Sequence, residues 1–292
     1  MDKLVVILGP TASGKSSLAV KLAKRFNGEI ISADSRQVYK GMDIGTGKIT
    51  KKEMEGIPHY LLSIVSPRRI YTASQYRKEA LKNIKKVLSR GKVPFLVGGT
   101  GFYIQFVIDG IKTPEVPPDW KLRKKLSKKT AEELYGMLKK MDRERAERID
   151  RNNPRRLIRA IEIIRKTGKT VPKIEKNPLP LNVIQIGIKK SPEETKKLIR
   201  RRLLKRFGLG MEREVKNLRK EGISWKRLEE FGLEYRYVSM YLQGKIEFGD
   251  MVEKLRKEIE HFAKRQMTWF KKDQRIHWVK DYKEAYQLVK RL

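Results

Sequence analysis

The chain has 292 residues, of which 39% are hydrophobic and 35% charged, with a formal net charge of +35 and no cysteine. Disulfides, thiolate metal sites and cysteine nucleophiles are therefore excluded, and charges interrupt every apolar run before the roughly 20 residues that span a bilayer. We expect a soluble, cytoplasmic protein with a polyanionic partner, because such an excess strains a compact fold unless a partner neutralises it. A surface that is merely solubilising is the alternative.

The first elements of the chain surround a phosphate-binding motif. Residues 4–8 read as a buried parallel strand and residues 16–26 as a helix. Between them, residues 9–16 fit the P-loop pattern G-x-x-x-x-G-K-[ST], in which backbone N–H groups and the helix N-terminus bind phosphate oxygens. Lys15 would reach the terminal phosphate and Ser16 would ligate Mg²⁺. The predicted diphosphate-binding residues are Gly9, Thr11, Ala12, Ser13, Gly14, Lys15 and Ser16.

The residues that follow the next two predicted strands, 30–33 and 93–97, limit which reactions the chain could catalyse. The first is followed by Asp34, beyond the carboxyl end of a strand, where open α/β sheets bind ligands; a turn-forming role is the alternative. The second, after a predicted helix at 74–88, ends in Gly98-Gly99-Thr100 and lacks the Asp that commonly holds Mg²⁺ in nucleotide hydrolases. An ATP-dependent small-molecule kinase is thereby weakened but stays open.

The alternation of strands and helices predicts a P-loop NTPase-like parallel sheet covered by helices. Residues 112–180 change to proline-containing loops and strongly basic helices, which indicates an inserted all-helical lobe. Residues 181–188 and 276–279 read as returning strands. The predicted domains are therefore an α/β core formed by 1–111 and 181–292, and the lobe at 112–180.

Several motifs occur together in one order along nearly the whole chain. They lie at residues 9–16 (GPTASGKS), 32–35 (SADS), 38–46 (VYKGMDIGT), 96–100 (LVGGT), 153–162 (NPRRLIRAIE) and 263–270 (AKRQMTWF). In this respect the chain closely resembles the tRNA dimethylallyltransferases, also called tRNA isopentenyltransferases. The resemblance implies transfer of a dimethylallyl group from its diphosphate to N6 of adenosine 37, beside the anticodon, after that base has been flipped into a channel.

The resemblance also implies three catalytic residues. Asp34 would take the proton of the adenine amine, whose lone pair is delocalised into the ring. Arg202 would stabilise the charge that accumulates on the leaving diphosphate, and Thr100 would hold the reacting groups. The simpler alternatives are a tight turn at Thr100 and a solvent-exposed or phosphate-contacting arginine at Arg202.

The resemblance further implies a tRNA-binding surface. We also expect Mg²⁺ at the P-loop, and a monomer, since a large asymmetric RNA needs no two-fold partner. One departure from the family pattern stands out, because Glu234 occupies the place of a glycine; it would either turn away from RNA or pair with an arginine. A non-catalytic RNA-binding module is a further alternative for the whole chain. The predicted tRNA contacts are Asp34, Ser35, Arg36, Gln37, Thr100, Arg123, Arg155, Arg156, Arg159, Tyr235, Arg236, Lys264, Arg265 and Gln266.

Overall fold

The structure is a computed structural model that describes residues 2–114, 116–173 and 175–292. The chain divides into two compact units, Met1–Gly110 with Pro178–Leu292, and Ile111–Asn177. None of the helices in these described segments combines the length and apolarity that a membrane crossing requires.

The first unit is built on a parallel sheet. Its described strands are β1 (Lys3–Leu8), β2 (Gly28–Ser32), β3 (His59–Tyr60), β4 (Val93–Gly98), β5 (Asn182–Ile188) and β6 (Ile276–Val279). Their order is β3-β2-β4-β1-β5-β6, and every pairing is parallel. This confirms the predicted α/β class and the predicted strands; β3 was not predicted, since two residues carry no periodicity.

Helices cover both faces of this sheet. The described helices of the first unit are α1 (Lys15–Arg25), α2 (Ala73–Leu88), α3 (Gly101–Ile108), α8 (Pro192–Gly208), α9 (Met211–Lys220), α10 (Trp225–Phe231), α11 (Leu233–Leu242), α12 (Phe248–Phe270) and α13 (Tyr282–Lys290). Strand β1 is apolar throughout because both of its faces are buried. Leu4 and Val6 pack against α2 and α3, whereas Val5 and Ile7 pack against α1 and α13.

A separate hydrophobic core joins α8 to α12 with the segment at residues 38–42. Leu203, Val215, Phe231 and Leu255 are among the buried residues that hold these helices together. This core fixes where α8 and α12 present their polar side chains, and both helices contribute to the site described below.

The second unit is all-helical in its described part. It contains α4 (Trp120–Leu126), α5 (Ala131–Met141), α6 (Arg143–Arg148) and α7 (Pro154–Thr167), packed around a small apolar core. The motif at 153–162 forms the start of α7: the Asn153 side chain accepts a hydrogen bond from Arg156 N, and Pro154 occupies the first turn. The helix ends at Gly168, whose φ of 66° suits glycine.

Candidate active site

Three loops meet at one edge of the sheet. Strands β2, β4 and β1 are adjacent and parallel, so the segments that follow them lie side by side. The P-loop follows β1, Asp34 follows β2 and Thr100 follows β4. They line one cavity of about 800 Å³, which we call the P-loop cavity. The predicted residues that line it are Thr11, Ala12, Ser13, Gly14, Lys15, Ser16, Asp34, Ser35, Arg36, Gln37, Thr100, Arg202, Tyr235, Arg236, Arg265 and Gln266.

The P-loop backbone has a conformation that suits an anion. Gly14 has a φ of 86°, and Ala12 adopts a φ of 62° that is uncommon for a residue with a side chain. Helix α1 begins at Lys15, directly after a glycine that has no side chain to cap it. Ser13 Oγ is buried and has no hydrogen-bond partner among the described residues. The first N–H groups of α1 therefore have no side-chain cap and can donate to a ligand.

Gln266 ties the P-loop to the turn after β4. Its Oε1 accepts a hydrogen bond from Thr11 N at 2.8 Å, and its Nε2 donates to Gly99 O at 2.8 Å. We predicted that Gln266 faces tRNA; the structure instead places it in a buried bridge between two loops. Its two neighbours in the same motif, Lys264 and Arg265, are exposed.

Asp34 and Thr100 are held by one small hydrogen-bond network. Asp34 Oδ1 accepts hydrogen bonds from Arg36 N at 2.8 Å and Gln37 N at 3.3 Å. Thr100 Oγ1 accepts one from Ser35 N at 3.0 Å. The turn-forming role of Asp34 therefore coexists with a place in the cavity, since the turn uses one carboxylate oxygen and not the other.

The electrostatics of the cavity favour an anion. Burial lowers the pKa of Lys15 to about 8; Arg202 and Arg206 act in the same direction and Asp34 opposes them. Burial, followed by the charge of Arg206, also lowers the pKa of Arg202 to about 10. Burial and neighbouring cations thus disfavour the charges of Lys15 and Arg202, and a bound polyanion would relieve both.

Arg202 and Arg206 lie one turn apart on α8 and reach the same short loop. Arg202 Nη2 donates to Gly47 O at 3.1 Å, and Arg206 Nη1 donates to Gly45 O at 3.0 Å. A Cβ atom at Gly47 would lie 2.2 Å from Arg202 Nη2 and 2.0 Å from Arg206 Nη2. Glycine at position 47 thus makes room for both guanidinium groups. Arg206 was not singled out from the sequence.

Glu214, on α9, fixes this loop from the other side. Its carboxylate accepts hydrogen bonds from the backbone N–H groups of Asp43, Ile44 and Gly45 at 2.8, 2.6 and 3.0 Å. It also accepts one from Tyr235 Oη at 2.7 Å. Tyr235 is only 2% exposed and packs in the core formed by α8 to α12; its contact with tRNA stays a prediction.

Glu234 lies in the cavity and pairs with Arg206. Its Oε1 accepts a hydrogen bond from Arg206 Nη1 at 2.5 Å, and both residues are buried. The sequence left open whether Glu234 turns away from RNA or pairs with an arginine, and the structure shows the pair with Arg206. The adjacent Arg236 is exposed and donates to Glu229 O at 3.3 Å.

The predicted tRNA contacts of the second unit fall into two groups. Arg155 and Arg156 are exposed. Arg123 instead donates two hydrogen bonds of 2.7 Å to Glu162, and Arg159 donates a third of 2.5 Å. Burial raises the pKa of Glu162, but these hydrogen bonds outweigh it and hold that pKa below its usual value. Arg123 and Arg159 thus stabilise the unit, and their contact with tRNA stays a prediction.

Comparison with known proteins gives a consistent result. The family model described as IPP transferase matches residues 37–273. The tRNA dimethylallyltransferase of Acetivibrio thermocellus is 42% identical over 96% of this chain and 92% of its own length; that of Anoxybacillus flavithermus is 41% identical over 95% and 90%.

Solved structures give the same likeness. The full-length tRNA isopentenylpyrophosphate transferase of Bacillus halodurans superposes with a TM-score of 0.74 at 35% identity, covering 99% of this chain and 94% of its own. A eukaryotic dimethylallyltransferase described as acting on tRNA superposes with a TM-score of 0.78 at 29% identity, over 92% of this chain and 70% of its own.

Proposed function

This chain belongs to the IPP transferase family, and from that premise we propose that it transfers a dimethylallyl group from dimethylallyl diphosphate to N6 of adenosine 37 in tRNA, giving N6-isopentenyladenosine. The observation that carries the proposal is the meeting of the P-loop, Asp34 and Thr100 around one cavity. A diphosphate site and a carboxylate that can accept a proton are the two groups that this reaction needs.

The P-loop cavity would hold the donor by its diphosphate. Backbone N–H groups of the loop, Lys15 and Arg202 present positive charge where the leaving oxygens gather negative charge as the allylic C–O bond breaks. Lys15 Nζ donates to Pro10 O at 3.2 Å, which keeps the ammonium group beside the loop. These groups are already in place, so little reorganisation opposes the reaction.

Asp34 would act as the general base. The adenine amine attacks the allylic carbon, and its proton passes to the carboxylate oxygen that the turn at Arg36 does not use. Thr100 is fixed by Ser35 N, so its hydroxyl can orient the amine and the donor relative to each other. The products are the prenylated base and diphosphate.

Mg²⁺ is the ion we propose for this site. The chemistry of the donor set fits a hard cation, since the Ser16 hydroxyl lies in the cavity beside the phosphate-binding loop. The described residues contain no cluster of three or more His, Cys, Asp or Glu side chains that could hold a metal. Ser16 would supply one ligand, and the bound ion would offset charge on the diphosphate.

The kinase alternative is not favoured by the family assignment. The decisive experiment incubates the protein with Mg²⁺, dimethylallyl diphosphate and unmodified tRNA, and in parallel with Mg²⁺, ATP and the same tRNA. Mass spectrometry of the tRNA nucleosides should show prenylated adenosine in the first reaction only. Transfer of phosphate from ATP, with no prenylated adenosine in either reaction, would refute the proposal.

The tRNA would be bound through its phosphates by exposed basic side chains and recognised through its bases. Arg36 and Arg236 lie at the cavity, while Arg155 and Arg156 lie on α7 of the second unit. A monomeric state, a cytoplasmic location and contact with the anticodon stem-loop stay predictions. The formal net charge of +35 suits a large polyanionic substrate.

A further inference from the structure

Arg206 and Glu234 form an ion pair inside the P-loop cavity. Arg206 is 7% exposed and Glu234 is 8% exposed, and both line the cavity beside Lys15 and Arg202. Arg206 Nη1 is shared between Glu234 Oε1 at 2.5 Å and Gly45 O at 3.0 Å. Arg206 Nε is buried and has no partner among the described residues. Both hydrogen bonds of Arg206 to the described residues use Nη1, so its Nη2 keeps donor capacity for a ligand in the cavity.

We propose that Arg206 is a second arginine of the diphosphate site and that Glu234 is an internal anion competing with diphosphate for it. This rests on the proposed function and adds a residue pair that tunes how tightly the donor and the diphosphate product are held. When diphosphate binds, its oxygens take hydrogen bonds from Arg206, and the Glu234 carboxylate loses part of its share.

The position of Arg206 does not depend on Glu234 alone. Gly45 O accepts a second hydrogen bond from the same guanidinium group, and the loop around Gly45 is itself held by Glu214 through three backbone N–H groups. Removing the charge of Glu234 would thus leave Arg206 facing the cavity.

The charges in the cavity argue for competition. Lys15, Arg202 and Arg206 are close enough for the charge of Arg206 to lower the pKa of the other two. A diphosphate in their midst gains from all three cations, but Glu234 is a carboxylate of the same sign as the ligand in the same cavity. Like charges in a poorly solvated site repel strongly, so Glu234 lowers diphosphate affinity while it satisfies Arg206.

The test is calorimetric titration of inorganic diphosphate, with Mg²⁺ present, into the full chain and its variants. Glu234→Gln keeps the acceptor for Arg206 and removes the negative charge, so we expect diphosphate to bind about 5- to 50-fold more tightly, the usual size of a coupling between two sites. Arg206→Met should weaken binding. In the double variant the gain from Glu234→Gln should shrink, because the two residues are in contact.

Two variants supply controls. Glu229→Gln removes a carboxylate from α10 that accepts hydrogen bonds from Gln243 and Lys245 outside the cavity, and it should leave diphosphate affinity unchanged. Lys15→Met reports on the proposed function: if wild-type protein binds diphosphate no better than Lys15→Met, the P-loop assignment itself fails. If wild type binds and Lys15→Met does not, the Glu234 variant is decisive.

Unchanged or weaker binding by Glu234→Gln would overturn the proposal, because it would mean that the carboxylate only positions or neutralises Arg206. Glu234→Ala, which leaves Gly45 O as the acceptor, repeats the test should Glu234→Gln fail to fold. The rate of product release gives an independent readout. Diphosphate should leave Glu234→Gln more slowly than wild type by a similar factor, and faster or equal release would contradict the role.

Discussion

Asp34 uses its two carboxylate oxygens differently. Oδ1 accepts hydrogen bonds from Arg36 N and Gln37 N and so shapes the turn after β2. This turn brings Ser35 N to Thr100 Oγ1 at 3.0 Å. A substitution at Asp34 can thus act on the geometry, on the proton transfer or on both, and two variants separate these effects.

We predict that Asp34→Asn and Asp34→Ala both lower single-turnover prenyl transfer by ~10²- to 10⁴-fold, the usual contribution of a positioned base. The Asn side chain keeps an oxygen that can accept the hydrogen bond from Arg36 N. The loss of rate in Asp34→Asn therefore reports on the missing base alone. Filter binding should show nearly unchanged tRNA affinity for Asp34→Asn. A wild-type rate for Asp34→Asn would remove Asp34 from the mechanism.

We predict that Lys15 makes donor binding depend on pH. Burial, then Arg202 and Arg206, lower its pKa to about 8, so the ammonium group is charged below that pH and loses its proton above it. Diphosphate favours the charged form. Relative to Lys15→Met, which shares any titration of diphosphate itself, the affinity of the wild type should therefore fall above about pH 8, by at most about tenfold per pH unit.

Titration calorimetry with inorganic diphosphate across this range measures the effect. Arg202, with a pKa of about 10, stays largely charged over most of it. Lys15→Met should bind weakly with a flatter profile. An equal decline in wild type and Lys15→Met would assign the dependence to another group.

Four of the predicted cavity residues follow strands that the apolar pattern reveals. Asp34 and Thr100 lie just after β2 and β4, and Lys15 and Ser16 begin the helix after the P-loop that follows β1, so their position follows from local sequence and from the geometry of a parallel sheet. Their supports could not be found in this way. Gln266 contacts Thr11 from 255 residues away, and Glu214 contacts Gly45 from 169 residues away, so only the folded chain pairs them.

At the scale of elements, α12 acts as a brace for the P-loop. Gln266 is on this helix and bridges Thr11 N and Gly99 O, while the neighbouring Phe270 packs into the core under the sheet. The bridge fixes the start of the P-loop relative to the turn that carries Thr100. Diphosphate binding should therefore be sensitive to a side chain that need not touch the ligand.

We predict that Gln266→Ala weakens diphosphate binding by about tenfold, since Thr11 N and Gly99 O lose their partners and the loop loses its preorganised shape. Titration calorimetry measures the change. Gln287→Ala, on α13 away from the P-loop cavity, is the matched control and should have no effect. Weakened tRNA binding with unchanged diphosphate affinity would instead support the original assignment of Gln266 to the RNA surface.

Prediction of helices and strands succeeded where apolar residues recur at regular spacing and failed where they do not. Strand β6 (Ile276–Val279) has the predicted bounds, and α2 begins one residue before the prediction because Thr72 and Gln75 form a capping box. Strand β3 forms by pairing with Ile30 and Ile31 of β2. No local sequence pattern predicts this pairing. The role of Glu162 in holding Arg123 and Arg159 was likewise hidden, because charge runs give no sign of which members are buried.

At the scale of the whole molecule, the charge of +35 should dominate the affinity for tRNA. Each phosphate that a Lys or Arg neutralises releases counterions, so affinity falls linearly with salt on a logarithmic scale. We predict a loss of about 10³-fold or more between about 50 and 200 mM salt, measured by filter binding. A shallow dependence would mean that the charge is a general surface property.

The exposed pair Arg155 and Arg156 supplies the variant for this test. Replacing both by Gln should lower the salt slope by about 1 to 2 and leave diphosphate affinity unchanged. Replacing Lys220 and Lys226, exposed residues on α9 and α10, is the matched control for lost charge. An equal change in slope in both double variants would argue against a defined tRNA surface on α7.

We propose that the P-loop holds the diphosphate of the prenyl donor while Asp34 faces the acceptor amine. A crystal structure with a non-hydrolysable thio analogue of dimethylallyl diphosphate tests it most directly. We expect phosphate density against the backbone of residues 11–16, within reach of Lys15 and Arg202, with the Asp34 carboxylate directed to the space beside the allylic carbon where the acceptor amine would enter. Phosphates bound elsewhere, or Asp34 turned out of the cavity, would contradict it.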